Sequence, residues 1–142
     1  MLKRVMPPEA AALVADGWTY LDVRSVSEFE QGHPHGAVNI PLLDVQAGRM
    51  VPNPDFLAVV KARFPVDANL VIGCKSGGRS AQAAAMLAGQ GYASLVDVRG
   101  GFSGERDALG RVVVAGWAEA GFPVDTVASV ENTYAALASK RT

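Results

Sequence analysis

A short apolar run, Asn69-Leu70-Val71-Ile72, leads straight into Gly73-Cys74-Lys75-Ser76-Gly77-Gly78-Arg79-Ser80 and then into an alanine-rich stretch, Ala81 to Gln90. This strand, glycine loop and helix constrain the chain more than any other feature. The same alternation recurs on either side. Thr19 to Arg24, Ala37 to Ile40 and Ser94 to Val98 read as further short strands. Pro7 to Val14, a short segment capped by Ser25 or Ser27 that carries Glu28 and Phe29, and Asp55 to Phe64 read as helices. Short strands alternating with helices predict an α/β fold, with a small, mainly parallel five-stranded sheet flanked by helices on both faces. In such sheets sites form at the carboxyl ends of strands, which puts Asp22–Arg24, Cys74 and Arg99–Gly101 on one rim.

Three stretches are less regular. Leu42 to Asn53 reads as irregular and Ser103 to Arg111 as charged and turn-like. Val112 to Ala120 offers strand signals in its valines and helix signals after Ala115. The tail from Val127 to Lys140 has helical spacing at Val130, Tyr134 and Leu137, which predicts a docking helix. At 142 residues the chain suits one domain, 1–142, able to bury roughly 70% of its unfolded surface. Apolar residues make up 49% and charged residues 19%, a globular balance. A net charge of −1 points away from a general nucleic-acid or membrane surface. The amino-terminal residues lack the apolar run of a signal peptide, and no 18-residue apolar stretch predicts a membrane span.

The loop carries the chemistry. Cys74 is the only cysteine, so no internal disulfide is possible and a reducing cytoplasm is the expected location. A thiol between a strand end and a helix start faces the helix's unpaired N–H groups and the positive end of its dipole. Both favour thiolate over thiol. Lys75 and Arg79 add cations within the same few residues. Gly77 and Gly78 permit the tight backbone path, and Ser80 is placed to cap the helix. A buried, inert cysteine is the plain alternative. Asp22 and Arg24 read as a structural ion pair supporting the loop. His33 and His35 have no further ligand cluster around them, so no metal is expected. Arg106 and Arg111 read as a solvated face.

Three blocks resemble a known family. They are Leu21-Asp22-Val23-Arg24 with Glu28-Phe29 and Gly32-His33 through Pro41; Cys74 to Ser80; and Val98-Arg99-Gly100-Gly101-Phe102. Together they are similar to the single-domain rhodaneses, over about residues 5–125, with 126–142 left as a tail. The chain departs from the pattern at Pro34-His35 and in the Gly104–Val114 insertion ahead of Trp117. The resemblance implies a thiosulfate or thiol sulfurtransferase in which Cys74 carries a persulfide, with no cofactor. Lys75, Ser76, Gly77, Gly78, Arg79 and Ser80 would bind the donor. Arg79 would either hold its oxyanion or brace the loop. Partners would be a small sulfur donor and an external acceptor: cyanide, a low-molecular thiol or a thiol-bearing protein. A protein-to-protein sulfur carrier or regulatory module fits the same residues. A cysteine phosphatase or arsenate reductase fits less well. Only four residues separate Cys74 from Arg79 where the phosphatase signature has five, Gly73 stands where it has histidine, and the extra thiols typical of arsenate reductases are absent.

Overall fold

The computed structural model describes residues 3–139. In chain order, β1 (Lys3–Val5) is followed by α1 (Pro7–Ala15), β2 (Thr19–Asp22), α2 (Val26–Gln31), β3 (His33–Pro34) and β4 (Val38–Asn39). Next come β5 (Leu43–Gln46), β6 (Arg49–Pro52), α3 (Phe56–Arg63), β7 (Leu70–Gly73), α4 (Gly78–Gly89) and β8 (Leu95–Val98). The chain continues through β9 (Glu105–Arg106), β10 (Val112–Val114), β11 (Val124–Asp125) and a 3-10 turn at Val130–Asn132 to α5 (Tyr134–Ser139).

Five strands form one sheet in the order β1-β8-β7-β2-β4, with every pairing parallel. The three central strands are buried along almost their whole length, as expected of a sheet covered on both faces. Alternate residues serve alternate layers. Leu21, Leu70 and Ile72 pack with Phe56 and Val59 of α3, Ala83 and Leu87 of α4, and Leu137 of α5. Tyr20, Val71, Val96 and Val98 pack on the other side with Ala10 of α1, Phe29 of α2 and Trp117. The tail's docking helix is shorter than its spacing predicts: α5 docks through Leu137, while Val127 and Val130 precede it and are exposed, and Lys140 lies outside the described residues.

The structure corrects several sequence expectations. Leu42 to Asn53 is not irregular: β5 and β6 pair antiparallel around Ala47 and Gly48, both with positive φ. At the start of the ambiguous stretch, the valines of β10 pair with β9, and a turn rather than a helix follows through Ala120. Lys3–Val5, given no element in the sequence reading, is the edge strand beside β8.

Candidate active site

β7 ends at Gly73 and delivers Cys74 to the rim, 2% exposed. Gly73 has a steric reason to be glycine. A Cβ there would collide with the phenol of Tyr20, which fills the space beneath it. Tyr20 is buried, its hydroxyl has no partner among the described residues, and burial above all pushes its ionisation well above the usual phenol range. The loop after Cys74 then curls over the sulfur. The Gly77 amide donates to Cys74 Sγ at 3.1 Å and the Ser80 amide donates at 3.3 Å. Gly77 adopts φ +122, a conformation that L side chains rarely take. Two N–H dipoles aimed at one sulfur favour negative charge on it.

Ser80 does not cap the helix, contrary to the sequence expectation. Gly77 occupies the cap position of α4, and Ser80 sits one turn inside. Its backbone serves the sulfur while its hydroxyl donates to the Gly77 carbonyl at 3.2 Å. That carbonyl also accepts from Arg4 Nη2 at 2.9 Å. Arg4 Nε lies 3.3 Å from Asp97 Oδ2, so one side chain ties β1 and β8 to the loop. Burial is the main influence on Asp97 and pushes its carboxyl up; Arg4 and then Ser80 partly offset this.

Arg79 is engaged by Glu28. Its two terminal nitrogens donate to the two carboxylate oxygens at 2.7 and 3.0 Å, a bidentate fork. Glu28 is itself held by Ser25, the cap of α2, in a reciprocal capping box. Burial alone would raise the Glu28 carboxyl, but the hydrogen bonds from Arg79 and Ser25 outweigh it and bring the group from 4.5 down to about 2. Arg79 is raised in turn, chiefly by its hydrogen bond to Glu28. The fork ties the first turn of α4 to α2.

The acid limb of stability tests this pair. A carboxylate depressed on folding stabilises the protein above its unfolded value and loses that contribution as pH falls through the folded one. The window is therefore from 4.5 down to about 2. Glu28→Gln is expected to cost about 2 kcal/mol at neutral pH, after allowing for solvent that reaches the pair, and to converge with the parent near the bottom of the window. Denaturant unfolding at a series of pH values reads this directly; parallel curves for the two proteins would contradict it.

Asp22 and Arg24 form a buried ion pair at 2.7 Å. Arg24 also donates to the Gly32 carbonyl at 2.6 Å and lies 4.3 Å over the Phe102 ring. Across the site, Phe102 N donates to the Cys74 carbonyl at 2.7 Å and Ser103 N to the Lys75 carbonyl at 2.8 Å. The glycine-glycine-aromatic segment thus clamps the loop backbone. Lys75 and Ser76 are exposed, and their amides find no acceptor among the described residues. A cleft of about 270 Å³ opens beside the loop between Arg24, Glu28, Lys75, Phe102 and Ser103. Among the described residues, no cluster of His, Cys, Asp and Glu is placed to hold a metal. No helix among them is long and apolar enough to cross a membrane.

Sequence reasoning missed Arg4 and did not give Glu28 a place in the site. The Ser25-x-x-Glu28 spacing signals a capping box, but nothing local announces that the same carboxylate reaches Arg79, 51 positions away.

A model of the rhodanese-like domain matches residues 6–107. The chain is similar to thiosulfate sulfurtransferase 16, chloroplastic, of Arabidopsis thaliana: 44% identical over 91 residues, 64% of this chain and 76% of the relative. Thiosulfate sulfurtransferase 18 of the same plant is 35% identical over 121 residues, 83% of this chain and 79% of the relative. Two further relatives are matched over only 51% of their length. Among solved structures, Rv0390 from M. tuberculosis superposes with a TM-score of 0.74 at 27% identity, covering 88% of this chain and 98% of that one.

Proposed function

The chain belongs to the rhodanese-like family, and from that premise we propose that it moves a sulfane sulfur from a donor such as thiosulfate, through a persulfide on Cys74, to an external thiol or cyanide. The observation that carries the reading is the pair of amides trained on Cys74 Sγ from Gly77 and Ser80. In the first step the Cys74 thiolate attacks the outer sulfur of the donor. A new S–S bond forms, the old one breaks, and sulfite leaves with the electron pair. In the second, the acceptor attacks the outer sulfur of the persulfide and the Cys74 thiolate departs. The loop amides offset negative charge on the sulfur in both steps.

Donor anions would meet Lys75 first, since it is exposed while Arg79 is committed to Glu28. Arg79 then acts by holding the loop's shape. Because Cys74 is the sole cysteine, the acceptor comes from outside, a small molecule or a partner protein's thiol. We place this chemistry in a reducing compartment, the cytoplasm, where acceptor thiols are abundant. A phosphatase reading is disfavoured by Gly73, because Tyr20 leaves no room there for histidine.

Intact-mass spectrometry after incubation with thiosulfate tests the first step. The expected product is heavier by one sulfur atom, located on Cys74 and removed by dithiothreitol. A mass that never changes with thiosulfate or any other sulfane donor would overturn the reading.

A further inference from the structure

The segment after Asp125 lies outside the part of the chain matched by the family model. It folds against α2 and closes a second cavity of about 320 Å³, which shares no residue with the cleft beside Cys74. This is the lower end of the ~300–1,000 Å³ range of small-molecule pockets. Its walls are mainly apolar, with Val26 and Phe29 from α2, Val127 and Ala128 from the tail, and Tyr134 from α5.

Two polar side chains in the wall are buried, His33 at 2% exposure and Asn39 at 1%. The His33 ring stacks on Phe29, with centroids 3.8 Å apart. Its Nδ1 lies 2.7 Å from the Phe29 carbonyl. A carbonyl can only accept, so Nδ1 carries a proton, and in the Nδ1–H tautomer Nε2 is an acceptor. Nε2 has no partner among the described residues. Asn39 spends its amide hydrogens on the carbonyls of Asp22 and Arg24, and its Oδ1 is sealed from the cavity, with no donor among the described residues. Glu30 stands exposed at the rim, paired with no cation among the described residues, and no lysine or arginine lines the cavity. The Thr133 hydroxyl is turned to the Val130 carbonyl.

The chamber is therefore mainly apolar, and its imidazole Nε2 and the Glu30 carboxylate at its rim can each take a hydrogen-bond donor. We infer that this cavity binds a small primary amine with a flat apolar body, the ring lying among Phe29, Val127 and Tyr134 and the ammonium facing Glu30 and His33. A carboxylate of the same shape would face the Glu30 carboxylate with no lysine or arginine in the wall to offset it, so charge sets the selectivity. The site is independent of sulfur transfer and does not rest on it.

Titration of the full chain with 2-phenylethylamine and, separately, 3-phenylpropanoate, followed by two-dimensional NMR, tests the assignment. The amine is expected to shift amide signals of α2 and of residues 126–135 saturably, with a Kd at least about tenfold below that of the carboxylate. Ala135→Phe, which places a ring in the cavity, is expected to abolish these shifts. Glu30→Gln is expected to weaken binding about two- to fivefold, as for loss of one solvent-exposed charge. Absence of saturable shifts in these segments, equal affinity for the carboxylate, or undiminished binding by Ala135→Phe would each overturn the inference. Should Ala135→Phe lose its dispersed spectrum, Glu30→Gln carries the test, since its side chain is on the surface, and unchanged affinity in it refutes the proposal.

Discussion

Cys74→Ser is expected to lower thiosulfate-to-cyanide sulfur transfer by about 1,000-fold or more, the scale on which loss of an activated nucleophile is felt. Serine keeps nearly the same shape. Its oxygen can accept from the Gly77 and Ser80 amides that now serve the sulfur, so neither donor is left buried and unpaired. Stability should therefore change by no more than about 1 kcal/mol. What is lost is the polarizable, ionisable atom that can form and release an S–S bond. Thiocyanate formation measures the rate, and thermal unfolding checks the fold. Transfer that survives the substitution would mean the sulfur never resides on this residue, and the proposed function would fall with it.

How much of this was legible depended on what each residue faces. β2, β7 and β8 are buried on both faces, so their apolar runs are unambiguous and the parallel sheet follows from them. β1 is three residues at an edge with Lys3 and Arg4 exposed, which gives no hydrophobic pattern to read. The β5–β6 hairpin turns at Ala47-Gly48 with both residues at positive φ, yet alanine in the first place hides the usual turn signature. The loop around Cys74 was visible as a motif because its parts are contiguous. The misreading of Ser80 came from the same contiguity: a serine near a helix start suggests a cap, but the glycine three residues earlier takes that position and frees the Ser80 amide for the sulfur. Arg79–Glu28 and Arg4–Gly77 join segments 51 and 73 positions apart. Such pairs are set by topology, and local spacing holds no record of them.

The clamp on the loop backbone makes the second strong prediction, because Gly100 and Gly101 fail for different reasons when given a side chain. At Gly101, φ +49, a Cβ would strike the carbonyl carbon and oxygen of Cys74. These are backbone atoms, and the same carbonyl is held by Phe102 N at 2.7 Å while Ser103 N holds the next one at 2.8 Å. Nothing there can rotate away. At Gly100, φ +81, the new Cβ would come 2.8 Å from Val114 Cγ1, a side chain that can turn or be trimmed. Left-handed backbone costs alanine about 1–2 kcal/mol at either position. Gly101→Ala should add the displacement of the loop and reach about 3–4 kcal/mol in total, a fall in Tm of roughly 10 °C for a chain of this length. It should also reduce transfer, since the backbone that it shifts is that of Cys74 itself. Gly100→Ala should cost about half as much, and adding Val114→Ala should relieve its steric part. The same addition should do nothing for Gly101→Ala. If Val114→Ala rescues both variants equally, or if Gly101→Ala proves the milder of the two, the glycine pair is filling space rather than holding the Cys74 carbonyl in place.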